Sequence, residues 1–166
     1  RAIEQLGLRA RDDEEFKQGV IDGGYWLRKP GANADLIIAY QGCVAPEVIE
    51  AAGRIGNDRR DIGVPAMTSA DRLNSGWNAA RRARAQGHTD ATSQIERLMS
   101  DVPRHATIIT VTDGHPATVS WIGSVRGHPV APLGVDKFGQ TGTVKDLYKH
   151  FQIDADAIVS AANFLT

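Results

Sequence analysis

The sequence predicts an α/β fold: a three-layer α/β/α sandwich around a mostly parallel sheet of about five strands, with one antiparallel strand at its edge. Three observations predict it. The runs "DLIIAYQG", "DIGVPAMTS" and "ATIITVTDG" have the near-continuous hydrophobicity of strands covered on both faces. The segments after them carry helical spacing of apolar residues. The alternation of the two implies parallel strands joined by right-handed crossovers.

In chain order, residues 1–19 are polar and charged and read as an arm or linker with at most one helical turn, and residues 20–166 as the globular domain. "GGYWLRK" opens that domain as the antiparallel edge strand, stopped by Pro30-Gly31. "DLIIAYQG" is followed by "APEVIEAAGRI", a helix with Pro46 in its first turn and Val48, Ile49, Ala52 and Ile55 as its apolar face. "DIGVPAMTS" leads to "SADRLNSGWNAARRARAQ", a helix capped by Thr68 or Ser69, with Asp71 in its first turn and Gly87 just past its end. "ATIITVTDG" is the third buried strand, "HPATVSWIGSV" a short helix and "VAPLGV" the last strand. Two helices finish the chain. Thr141 or Thr143 caps the first, whose apolar side is Val144, Leu147, Tyr148 and Phe151. Asp154 caps the second, with Ala157, Ile158, Ala161 and Phe164 or Leu165 facing inward. In the corner before them, Gly139 or Gly142 takes a positive φ and Phe138 covers the sheet end.

Composition excludes several classes. At 166 residues, 42% hydrophobic and 23% charged, the chain is a single globular domain rather than a disordered one. A net charge of −1 gives no electrostatic footprint for nucleic acid or an anionic membrane. No apolar run reaches the length of a bilayer span, and the opening stretch "RAIEQLGLRARDDEEF" contains no apolar region of the signal-peptide kind. With the single Cys43, these features lead to the expectation of a cytoplasmic protein. The sequence begins at Arg1 rather than Met and reads as a piece of a longer polypeptide.

Ligands of open α/β sheets sit beyond the C-terminal strand ends, so those ends hold the candidates. Gly42 and Cys43 form a glycine turn into a helix, where backbone N–H groups can hold a small anion; a plain tight turn is the simpler reading. Cys43 is either a nucleophile favoured by the helix N-terminus or a small buried residue, and lacking an evident His partner it reads as the latter. Asp113 and His115 pair an acid with a base at a strand end, suited to proton transfer or metal binding; a helix cap is the alternative. Two ligands do not make a metal site, and His88, His105, His128 and His150 add none at ligand spacing. The cluster "RRARAQGH" complements a helix dipole, with a phosphate site the lesser alternative. Tyr25, Trp26 and Trp121 are candidates for a surface buried in an assembly, against the alternative of the chain's own core.

The closing stretch "FGQTGTVKDLYKHFQIDADAIVSAA" resembles the end of the transketolase superfamily, where a Phe-Gly turn leads to a helix, a short link and a last helix. Within it, the stretch is most similar to the single-chain, homodimeric pyruvate dehydrogenase subfamily, the thiamine-diphosphate-dependent decarboxylating component of 2-oxo acid dehydrogenase complexes. "DGGYWLRK", "VPAMTSADRLNSGW" and "TVTDGHPATVSWIGSV" extend the resemblance over residues 15–166, which makes 20–166 a transketolase C-terminal-like domain. The resemblance implies a non-catalytic third domain that supports dimer assembly. It implies thiamine diphosphate and Mg²⁺ for the parent enzyme, held between the first two domains, and no cofactor bound by this segment. The cofactor motif, Gly-Asp-Gly followed by Asn-Asn, is absent, and "TDG" at Thr112–Gly114 does not substitute for it. Implied partners are the remaining domains, a homodimer mate and the lipoyl-bearing acyltransferase component. Two alternatives stand beside this reading: the C-terminal domain of a transketolase, moving a two-carbon ketol between sugar phosphates, and a stand-alone small-anion-binding module.

Overall fold

A computed structural model describes residues 13–57 and 61–165. Its five strands are β1 (Gly24–Arg28), β2 (Leu36–Gln41), β3 (Ile62–Met67), β4 (Thr107–Thr112) and β5 (Val130–Leu133). They form one sheet in the order β1-β3-β2-β4-β5. β1 runs antiparallel to β3 at the edge, and the other neighbours are parallel. The helices are α1 (Glu14–Asp22), α2 (Ala45–Asn57), α3 (Ala70–Ala85), α4 (Gln94–Ser100), α5 (Ala117–Ser120), α6 (Val144–His150) and α7 (Ala155–Leu165).

Period-two alternation on the central strands builds two cores. Leu36, Ile38 and Tyr40 of β2, with Ile62 and Val64 of β3 and Ile109 and Val111 of β4, face α2 and α7. Ile37 and Ala39 of β2, with Ile108 of β4, face α3 and α4 and the segment around Val119 and Ile122. Both faces are covered, hence the unbroken hydrophobic runs. Among the described residues no helix is long and apolar enough to cross a membrane.

The ends of the helices follow from local chemistry. Ser69 caps α3 by accepting from the Arg72 N–H, and Gly87 lies just beyond it with φ 94°. Thr143 caps α6 through the Asp146 N–H. Asp154 Oδ1 accepts from Ala157 N at 3.0 Å, and Glu47 of α2 accepts from Ala155 N at 2.9 Å, tying α7 to its neighbour. Leu165, not Phe164, is the residue of α7's end that packs on the first core.

The structure departs from expectation in four places. Residues 14–19, expected in an arm, belong to a helix that runs on to Asp22: Asp13 accepts from Phe16 N at 3.0 Å, Glu14 and Glu15 complement the dipole, and Gly23 ends it at φ 104°. Phe16 packs edge-on against Tyr25 with ring centroids 4.7 Å apart. The rest of that arm, residues 1–12, lies outside the described residues. Helix α4 was not expected at all; Ser93 and Glu96 form a reciprocal capping box at its start. Phe138 does not cover the sheet end but stands fully exposed. Beyond Val135, whose N–H is held by Gly114 O at 2.8 Å, the corner leads away from both cores, with φ 105° at Gly139 and not at Gly142. Val144 is also exposed; Leu147 is half-buried, and only Tyr148 and Phe151 of that helical face pack against the first core.

Candidate functional site

Register alone brings the first candidates together. β2 and β4 are parallel, with Gln41 opposite Thr112, so the residues that follow, Gly42 and Asp113, are side by side. Gly42 has φ 84°, and a Cβ there would overlap Asp113 Oδ1. The next residue, Cys43, is exposed rather than buried. Its thiol donates to Asp113 Oδ2 at 3.0 Å and lies 3.0 Å from Tyr148 Oη, where either partner can donate. Tyr148 comes from α6. The three side chains thus pin the penultimate helix over the ends of the two central strands.

Chemically this cluster is self-satisfied. A cysteine nucleophile needs a neighbouring cation or imidazole, and here its partners are a carboxylate and a phenol. The Asp113 carboxylate against Gly42 also opposes an anion in the Gly42–Cys43 turn. His115 does not pair with Asp113: its Nδ1 accepts from Ala117 N at 3.2 Å and so caps α5. Of the basic cluster, Arg84 donates to Glu96 at 2.7 Å and to Ala91 O at 2.6 Å, and Arg81 lies over the Trp77 ring, 5.0 Å from its centroid. Burial works against the Glu96 carboxylate, yet the hydrogen bonds from Arg84 and Ser93 outweigh it and hold its pKa below the ordinary value. Of the aromatic candidates, Trp26 is buried in the second core, while Tyr25 and Trp121 are half-buried.

Two phenols are tuned. Burial, then the hydrogen bond with Cys43 and the charges of Cys43, Asp113 and Glu47, raise the Tyr148 pKa above the ordinary range. Burial, with Tyr25 beside it, pushes Tyr40 up to about 12. Both folded values lie above the unfolded value of about 10, so this part of the stability is complete below that pH and is lost as pH rises through the folded values. An alkaline titration followed by tyrosinate absorbance should show Tyr40 and Tyr148 ionising late, with the melting temperature falling alongside. Ionisation of both near the ordinary value, without loss of stability, would contradict this geometry.

The sequence matches the transketolase-like TK C-terminal domain over residues 23–154. The chain belongs to the transketolase-like C-terminal domain family. It is 26% identical over 162 residues to the transketolase of Physarum polycephalum, a match covering 97% of this chain and 20% of that protein. Among solved structures, the transketolase from Leishmania mexicana superposes with a TM-score of 0.62 at 18% identity, over 89% of this chain and 18% of that one. A split-gene transketolase, solved as an inactive β4 tetramer, superposes with a TM-score of 0.61 at 20% identity, over 87% of this chain and 42% of that one. These likenesses show the transketolase C-terminal fold. The chain spans about a fifth of the length of the curated relative. The superfamily expected from the closing stretch stands, but these relatives are transketolases, not pyruvate dehydrogenases.

The residues of this transketolase-like domain do not fit the cofactor of such enzymes. Among the described residues no three His, Cys, Asp or Glu side chains gather to hold a metal ion. The one glycine turn at the strand ends that starts a helix from β2 faces a carboxylate, which disfavours a diphosphate.

Proposed function

We propose that the chain is the non-catalytic C-terminal domain of a thiamine-diphosphate-dependent enzyme of transketolase type, acting through contacts within a dimer. The observation that carries this is the spending of the strand-end residues on one another: Cys43, Asp113 and Tyr148 hold α6 in place, and none is left for substrate. The family match and the named relatives favour transfer of a two-carbon ketol between sugar phosphates as the parent reaction. A pyruvate dehydrogenase parent, working with a lipoyl-bearing acyltransferase, is the second reading; the stretch from Phe138 to Ala162 favours it by its resemblance. A small-anion module is the weakest, since Asp113 faces the turn that would hold the anion. The reading puts the parent in the cytoplasm, where an unpaired cysteine stays reduced.

The parent reading frame, purified and assayed both for ketol transfer from a ketose phosphate and for decarboxylation of pyruvate, decides between the enzymes. Activity in neither assay would remove both.

The contact role makes its own prediction. Phe138 is fully exposed at the tip of its corner, so Phe138→Asp should change the stability of the isolated chain by no more than about 0.5 kcal/mol. In the parent the same change should weaken the dimer, read by sedimentation at falling concentration. An unchanged dimer would show that this corner makes no contact there.

A further inference from the structure

A depression of about 610 Å³ lies between the start of α3 and α5, lined by Asp71, Asn74, Ser75, Thr118 and Trp121 among others. It has no part in the cluster around Cys43. The topology explains its place. The connection after β2 enters α2 on the first core, whereas those after the neighbouring strands β3 and β4 enter α3 and α5 on the second. Connections that leave adjacent parallel strands toward opposite faces open a crevice at the switch point, where open α/β sheets bind ligands.

Its chemistry is specific. Trp121 stacks on Trp77, centroids 5.6 Å apart at 21°, and its indole N–H is held by Thr118 O at 2.9 Å, which fixes the ring. Asn74 Oδ1 accepts from Asn78, leaving the Asn74 amide N–H groups to donate. The Asp71 carboxylate and the Ser75 and Thr118 hydroxyls make no hydrogen bond among the described residues. A fixed indole beside unpaired hydroxyl, amide and carboxylate groups suits a ligand with an apolar C–H face and a rim of hydroxyls. No Lys or Arg lines the depression, and Asp71 repels an anion, so a phosphorylated ligand is disfavoured.

We propose that this switch-point depression binds an uncharged cyclic polyol, such as an unphosphorylated sugar. The inference does not depend on which reaction the parent performs.

The test is titration of the chain with D-xylose and with myo-inositol, followed by tryptophan fluorescence and by magnetisation transfer from protein to ligand. The expected result is saturable binding to at least one of them with a dissociation constant of about 1 mM, unaffected by inorganic phosphate. Asp71→Ala and Thr118→Val, both at exposed positions, should each weaken it about tenfold with folding intact by circular dichroism. A response to both ligands that never saturates, equal affinity in the wild type and both variants, or displacement by phosphate would overturn the proposal.

Discussion

Ile109→Ala is expected to cost about 2–5 kcal/mol, the usual price of a large-to-small change at a fully buried site. Ile109 lies on β4 with no exposed surface, paired with Ile38 on β2 and Ala131 on β5 and packed in the core beneath α2 and α7. The surroundings cannot collapse into the gap, because the strand is held on both sides and covered by helices. Against a typical total of about 5–15 kcal/mol, this is a large fraction of the stability. Urea denaturation measures it. The control is Phe164→Ala on α7, whose side chain is 90% exposed and should cost no more than about 0.5 kcal/mol. Equal losses from the two changes would mean that the inward and outward faces are misassigned.

Gly42→Val is expected to cost about 1–3 kcal/mol from backbone strain alone, since a β-branched residue is forced to φ 84°. The new side chain must also displace the Asp113 carboxylate, which takes the Cys43 hydrogen bond with it. Asp113→Ala removes that obstacle but not the strain. The double variant should therefore cost less than the sum of the single changes, a coupling readable in a thermodynamic cycle. Strict additivity would show that Gly42 and Asp113 do not meet as the strand register requires.

The fold was legible because burial on both faces writes itself into sequence as unbroken apolar runs, as in Leu36–Tyr40 and Ile108–Val111. The edge strand β1 was legible from its alternation and its Pro-Gly stop. Helix α4 was not read, although its signal was present: Ser93 followed three residues later by Glu96 marks a capping box. Seven residues are too few for periodicity to announce a helix on its own. Phe138 was misplaced because hydrophobicity alone suggests burial, while exposure is settled by the path of the chain around it.

The candidate site was half legible. Gly42, Cys43, Asp113 and His115 stand at strand ends, where the sheet rule directs attention. What joined them was not in any local pattern. Cys43 meets Asp113 across 70 residues and Tyr148 across 105. The first contact depends on the β2–β4 register, and the second on where α6 settles. Tyr148 looked like one more member of an apolar face, and only its phenol oxygen reveals the polar role. The crevice beside Trp121 depends likewise on two helices starting from separate strands.

The central claim is that this domain contributes architecture while the cofactor chemistry belongs to other parts of the parent. Calorimetric titration of the chain with thiamine diphosphate and Mg²⁺ tests it most directly. The account predicts no heat beyond dilution, because Asp113 faces the strand-end turn and no metal-binding group assembles among the described residues. A saturable heat with a micromolar dissociation constant would contradict it.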